Sequence, residues 1–217
     1  MRKTTFDNHK EYWTSKSGIP SSLVEHIPNL SGLQILDLGC AGGRLASSLK
    51  DAAQVYGLDY SAELLKEAQQ KFPQIKFICG DFQSDHSWGM IPDLDLIVSN
   101  CAIRKDYCPN FQAVIQHCFD KLKPSGTLVL RVESESDLSD VYSKSIRDTL
   151  FYSKSDLLKH LKMFKTSIQD EVFRQKFSSI EYAKQFLERT QLPPAEITTL
   201  NITRRYYVIR AEKSFVL

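Results

Sequence analysis

Along the first 132 residues, short apolar runs alternate with stretches whose apolar positions recur every three or four residues. Gln34-Ile35-Leu36-Asp37-Leu38 reads as a strand running into glycines, and Leu45, Ala46 and Leu49 then mark a helical stripe. Val55 to Asp59 is a second strand, and Ser61 is an N-cap for a helix carrying Leu64, Leu65, Ala68 and Phe72. Strands follow at Ile75–Ile78 and Asp95–Ser99. Phe111, Val114, Ile115, Cys118, Phe119 and Leu122 fall on one helical face, Lys123-Pro124-Ser125-Gly126 stops that helix, and Thr127 to Val132 is a fifth strand. Residues 133 to 155, rich in Ser, Asp, Glu and Lys, are expected as a surface loop or short helix. Leu157, Leu158, Leu161 and Phe164 predict another helix, and Thr166 to Phe173 a sixth strand. Ser178 with Glu181 has capping-box spacing and opens a helix through Ile180, Ala183, Phe186 and Leu187. Ile202 to Ala211 is a seventh strand. The pattern is that of one α/β domain over residues 34–217, doubly wound with helices on both faces, preceded by an N-terminal helical appendage or lid at 1–33.

Composition narrows the partners rather than the fold. At 217 residues, 42% hydrophobic and 25% charged, the chain is ordinary globular material and not disordered, collagenous or coiled coil. Lys+Arg 28 against Asp+Glu 26 leaves a net charge of +2, so nucleic acid is not an expected partner on charge grounds. No apolar run reaches the roughly eighteen residues that a membrane span needs, and Met1-Arg2-Lys3-Thr4-Thr5-Phe6-Asp7 lacks the apolar core of a secretory signal. Five cysteines, an odd number with no Cys-x-x-Cys pair, support neither a disulfide framework nor a zinc site, and a cytoplasmic, metal-free protein is expected.

Glycine is scarce, nine in all, yet Gly39, Gly42 and Gly43 share one five-residue window between a strand and a helix. Such a turn lets backbone approach a ligand closely, and the following helix offers unpaired N–H groups to an anionic group. Twenty residues past Gly39, Asp59 ends the second strand, where a carboxylate is placed to accept hydrogen bonds from both ribose hydroxyls of an adenosine. A dinucleotide fingerprint requires glycines at 39, 41 and 44; this chain has Gly39, Ala41 and Arg44. The alternative pattern, acid-x-Gly-x-(Gly/Ala)-x-Gly, is met by Asp37-Leu38-Gly39-Cys40-Ala41-Gly42-Gly43. A carboxylate at 37 repels a pyrophosphate and suits the ammonium of a methionyl group, which favours S-adenosylmethionine over NAD.

Five segments in order resemble the class I S-adenosylmethionine-dependent methyltransferases: 35–43, Gly57-Leu58-Asp59-Tyr60-Ser61, Gly80-Asp81-Phe82, Asp93 to Asn100, and Leu122 to Leu128. The resemblance covers residues 34 to 132 motif by motif and the final strands more loosely. It implies a mostly parallel seven-stranded sheet with an antiparallel last strand. It also implies that Asp37 and the loop of Gly39, Ala41 and Gly43 hold the methionine part and that Asp59 holds the ribose. Asp81 then reaches the adenine amino group, Tyr60 and Phe82 flank the ring, and Ser99 and Asn100 meet the cofactor at the mouth of the fourth strand. Ala41 stands where many relatives have glycine and is small enough to leave binding intact.

The acceptor side is less determined. Cys40 and Cys101 read as small buried apolar residues rather than nucleophiles. Cys108-Pro109 reverses the Pro-Cys order of cytosine-C5 methylation, and Asn100-Cys101-Ala102-Ile103 stands where amino-methylation of adenine or glutamine calls for Asn/Asp-Pro-Pro-aromatic. His117 lies off its helix's apolar stripe and reads as solvated. Arg104, after the fourth strand, is a candidate to orient an anionic substrate, and Tyr12 and Trp13 are candidates for a lid over the methyl-donor pocket. No residue is assigned as a general base. The expected activity is methyl transfer to a small-molecule acceptor, O- or N-directed. Similarity to the branch with trans-aconitate and malonyl-carrier-protein methyltransferases makes a carboxylate acceptor a hypothesis. The alternatives are RNA or protein methylation, for which Arg204, Arg205 and Arg210 offer a local basic patch, and a non-catalytic module that only binds the cofactor.

Overall fold

The computed structural model describes residues 20–27 and 29–214. After a short helix α1 (Ser21–Val24), the chain builds β1 (Gln34–Leu38), α2 (Arg44–Ser48), β2 (Gln54–Asp59), α3 (Ala62–Lys71), β3 (Lys76–Cys79), α4 (Asp85–Trp88), β4 (Leu94–Asn100) and α5 (Phe111–Lys121). It continues through β5 (Leu122–Glu133), α6 (Lys144–Leu150), α7 (Lys154–His160), β6 (Phe164–Lys176), α8 (Ile180–Arg189) and β7 (Asn201–Lys213). The strands form one seven-stranded sheet in the order β3-β2-β1-β4-β5-β7-β6. β1 to β5 pair in parallel, and β7 runs antiparallel to both β5 and β6, as the resemblance implied.

Local chemistry explains the helices that flank the site. The Ser61 hydroxyl accepts from the Leu64 N–H to start α3, which buries Leu64, Leu65 and Ala68. The Asn110 side chain accepts from the Ala113 N–H to start α5, whose buried stripe is Phe111, Val114, Ile115 and Cys118. One core face holds that stripe with Leu36, Ile97, Leu128 and Leu130, and the other packs Ile35, Val98 and Val129 against Leu45 and Leu49. Leu23, from the segment expected as an appendage, is fully buried in the second of these clusters.

Three expectations change. Residues 133 to 155 are a surface stretch only in part: Ser139, Asp140 and residues 143–146 are exposed, but Asp137 and Leu138 are fully buried, and Leu138, Tyr142, Leu150 and Phe151 join Phe177, Phe186 and Leu187 in a further apolar cluster. The buried Asp137 is matched by Arg204, while many of the segment's other polar side chains face solvent. The helix expected from a Ser178 capping box is capped one residue later, where Ser179 accepts from the Tyr182 N–H at 3.0 Å. His117 is half-buried rather than solvated, stacked on Trp88 at 5.4 Å between ring centroids.

Candidate active site

Between β1 and β4 the connections leave the sheet in opposite directions, since β1 is flanked by β2 on one side and β4 on the other. A crevice opens at the carboxyl ends of strands at such a reversal. The loop after β1 crosses it with Gly39 at φ 76°, Ala41 at φ 46° and Gly43 at φ 74°, all in the left-handed region. At Gly39 the requirement is also steric, because a Cβ there would sit 2.2 Å from the Cβ of Ala102, on the loop after β4. The two loops that wall the crevice are therefore in direct contact. Ala41 accepts the strain that a glycine would avoid.

Asp59 fixes the loop. Its Oδ2 accepts from the Ala41 N–H and its Oδ1 from the Ser61 N–H, both at 2.9 Å. A carboxylate has about four acceptor positions, so it can hold loop N–H groups and hydroxyl donors together. Asp37 lies deeper, with Oδ2 accepting from the Ala46 N–H at 2.8 Å in the first turn of α2. Burial raises its pKa to about 7, the Ala46 hydrogen bond opposes this, and the nearby Asp59 charge adds to it. The loop thus rests on one buried carboxylate and is tied down by another.

The remaining residues singled out in the sequence are placed as follows. Asp81 follows β3, and its Oδ1 accepts from the Gln83 N–H at 2.9 Å, an Asx turn. Phe82 is buried in the core with its carbonyl accepting from Trp88 Nε1, and one edge of its ring approaches the Gly39 turn. Tyr60 is half-buried beyond β2. The Ser99 hydroxyl donates to the Leu38 carbonyl at 2.8 Å, locking β4 to β1 and leaving its backbone at the mouth. Asn100 Oδ1 accepts from Arg131 Nη1 at 3.4 Å. Tyr12 and Trp13 lie outside the described residues.

Arg104 is not the open cation that the sequence suggested. It is 2% exposed; its Nε and Nη2 donate to the two carboxylate oxygens of Asp106 at 2.7 Å each, and the guanidinium also donates to the Thr190 and Gln191 carbonyls. Two arginines of the basic patch expected from the last strand are paired with carboxylates, and the third is hydrogen-bonded to neutral groups. Arg204 grips the fully buried Asp137, Arg205 donates to the Ser136 carbonyl and Ser139, and Arg210 pairs with Glu212.

Several residues around the crevice escaped the sequence reading. Ala102 closes the crevice against Gly39. Gln83 bridges two loops, donating to the Tyr107 carbonyl at 3.2 Å and accepting from the Asn110 N–H at 3.3 Å. Arg131 and Glu133, charged residues after the apolar run Leu128, Val129 and Leu130 of β5, were the signal available: Arg131 donates to Glu171 at 2.6 Å and lies 3.5 Å from the Tyr206 ring centroid. Among the described residues no cluster of three or more His, Cys, Asp or Glu is arranged to hold a metal, and no helix is long and apolar enough to cross a membrane.

A glycine-lined loop held between two carboxylates at the reversal of a β3-β2-β1-β4-β5-β7-β6 sheet defines a class of nucleoside-cofactor-dependent transferase folds. A family described as a methyltransferase domain matches residues 29–193, and the chain belongs to it, with the architecture of the class I S-adenosylmethionine-dependent methyltransferases. The trans-aconitate 2-methyltransferase of Deinococcus radiodurans is 29% identical over 135 residues, covering 60% of this chain and 50% of that protein. The enzyme of the same name from an Azoarcus species is 27% identical over 118 residues, 53% of this chain and 45% of that one. The chain thus spans about half the length of these curated relatives. An S-adenosylmethionine-dependent methyltransferase from Mesorhizobium loti superposes with a TM-score of 0.62 at 19% identity, covering 95% of this chain and 99% of that one. Magnesium protoporphyrin IX methyltransferase from Synechocystis, solved with S-adenosylmethionine bound, gives 0.55 at 19% identity over 98% and 80% of the two chains.

Proposed function

We propose that this protein transfers the methyl group of S-adenosylmethionine to a small-molecule acceptor. The observation that carries this reading is the Asp59–Ala41 strap across the crevice, which sets a carboxylate at the end of β2 beside left-handed backbone. By the same reading Asp59 holds the ribose, Asp37 with the 39–43 loop faces the methionyl ammonium, and Asp81, Tyr60 and Phe82 surround the adenine. Ser99 and Asn100 form the floor where the methyl end emerges.

The cofactor brings a sulfonium methyl that is already electrophilic, so the chain's task is to align the acceptor and exclude water. The close Gly39–Ala102 contact seals the crevice on the β4 side, and the apolar faces of Phe82 and Ile103 back it. The relatives' name makes a carboxylate one candidate acceptor. The pairing of Arg204 with Asp137 and of Arg210 with Glu212 speaks against a nucleic acid, whose binding draws on uncompensated cations. Incubation with methyl-labelled S-adenosylmethionine and a panel of amines, phenols and carboxylates is expected to release S-adenosylhomocysteine with at least one class. Tight cofactor binding with no turnover on any of them would favour the non-catalytic module.

A further inference from the structure

Because β1, β4 and β5 run parallel, the loops after β4 and β5 leave the same edge of the sheet as the loop after β1. A cavity of about 510 Å³ opens between those two loops and the helices α6 and α7, a volume within the range of small-molecule sites. Lys105 reaches it from the loop after β4, the loop whose Ala102 abuts the Gly39 turn. Glu135 lines it from the loop after β5, Lys144, Arg147 and Asp148 from α6, and Asp156 from the first turn of α7. The Lys105 N–H donates to the Leu150 carbonyl at 3.0 Å, which ties the β4 loop to the end of α6 and closes that side of the cavity.

Both lysines of the cavity are matched by its aspartates. Lys144 donates to Asp148, one helical turn on, at 2.8 Å. Lys105 donates to the Asp148 carbonyl at 3.1 Å and lies 3.6 Å from the Asp156 carboxylate. Arg147 is not matched. Its Nε is sealed from solvent without a hydrogen bond, and among the described residues its terminal nitrogens have no partner either, yet they are not sealed. A half-withdrawn guanidinium without acceptors is costly, and its planar fork fits a carboxylate. Glu135 is the complementary case. Its Oε2 accepts from the Tyr207 hydroxyl at 2.5 Å and its Oε1 from the Lys154 backbone N–H at 3.5 Å, so both donors are uncharged. Burial keeps the Tyr207 phenol protonated, and the Lys154 ammonium lies 3.2 Å from Asp170 instead. Among the described residues Glu135 and Arg147 form no ion pair with each other or with a third group, so one cavity holds one unmatched anion and one unmatched cation.

Building on the methyltransferase reading, we infer that this cavity seats the methyl acceptor by two opposite charges, Arg147 taking a carboxylate and Glu135 an ammonium. The substrate class is accordingly an aminocarboxylate, of which a free amino acid is the simplest form. A polycarboxylate would satisfy Arg147 but set a like charge against Glu135, and a simple amine would satisfy Glu135 but leave Arg147 unmatched.

Calorimetry on protein saturated with S-adenosylhomocysteine tests this with matched probes: the proteinogenic amino acids and 4-aminobutyrate, each beside its deaminated acid and its decarboxylated amine, with trans-aconitate as the polycarboxylate. At least one amino acid is expected to bind wild type tenfold or more tighter than either of its analogues and than trans-aconitate. Arg147→Met is expected to lose tenfold or more for that amino acid and to leave the amine unchanged. Glu135→Gln, which keeps an acceptor for the Tyr207 hydroxyl, is expected to lose tenfold or more and to leave the deaminated acid unchanged. Failure of every amino acid to bind, an analogue or trans-aconitate that binds as tightly, or variants that bind as wild type does, each overturns the inference. Affinity for S-adenosylhomocysteine is measured first; its absence in wild type overturns the methyltransferase reading itself, and with it this one. A variant that does not fold is replaced by Arg147→Gln or Glu135→Ala, for which the same losses are expected.

Discussion

Asp37 shows how one buried side chain couples the cofactor crevice to pH. Its pKa in the folded protein is about 7 against 3.8 for an unshifted aspartate, chiefly because burial penalises the charge. The native state therefore binds this proton more tightly than the unfolded chain does. The stability it confers is full at low pH and falls as pH rises from about 4 to 7. A methionyl ammonium favours the ionised form, so binding of S-adenosylhomocysteine at pH 6 should release a proton. Calorimetry in two buffers of different ionisation enthalpy is expected to give different apparent enthalpies for wild type and equal ones for Asp37→Asn. Identical enthalpies for wild type would remove Asp37 from the cofactor's ammonium. Asp37 and Asp59 were legible in the sequence because local spacing from the glycines places them. Arg104 was not, since its carbonyl partners Thr190 and Gln191 lie 86 and 87 positions away and nothing local announces them.

At the scale of elements, two carboxylates hold loops to strands, and their removal separates binding from folding. Asp59→Ala deletes the strap on Ala41 together with the proposed ribose contacts, so affinity for S-adenosylhomocysteine should fall by about 1–3 kcal/mol. Asp59→Asn, which retains one carbonyl acceptor, should fall less, and equal affinities for all three proteins by calorimetry would contradict the ribose role. Asp137 instead ties the segment after β5 to β7, accepting from Arg204 and from the Arg205 N–H at 2.6 Å. Removing one partner of a buried pair strands the other, so Asp137→Ala is expected to lower the urea unfolding free energy by roughly 3–5 kcal/mol. A loss below about 1 kcal/mol would show that water reaches Arg204. This pair also explains why residues 133 to 155 read as solvated: charge-rich sequence looks the same whether its partner is water or an arginine 67 residues away. The Ser178 cap failed for a smaller reason, since Ser179 stands beside it and either serine can open the same amphipathic helix.

For the molecule as a whole, the parallel half of the sheet was legible because each unit carries its own periodic stripe and stop signal, as the Ser61 and Asn110 caps illustrate. The order β5-β7-β6 was not carried by any local pattern. The family resemblance implied only an antiparallel last strand, and the order is seen in the structure, because long antiparallel pairing such as Phe164–Lys213 depends on residues far apart in the chain. The carboxyl ends of β4 and β5 with the adjoining part of β7 were the least legible part, as their contacts join residues far apart in the chain. The central claim is that the crevice between Asp37 and Asp59 takes an S-adenosyl nucleoside. Titration of the purified protein with S-adenosylhomocysteine and, separately, with NAD tests it most directly. One-to-one binding of the former and none of the latter is the result expected; no binding of S-adenosylhomocysteine, or binding of NAD in its place, would contradict it.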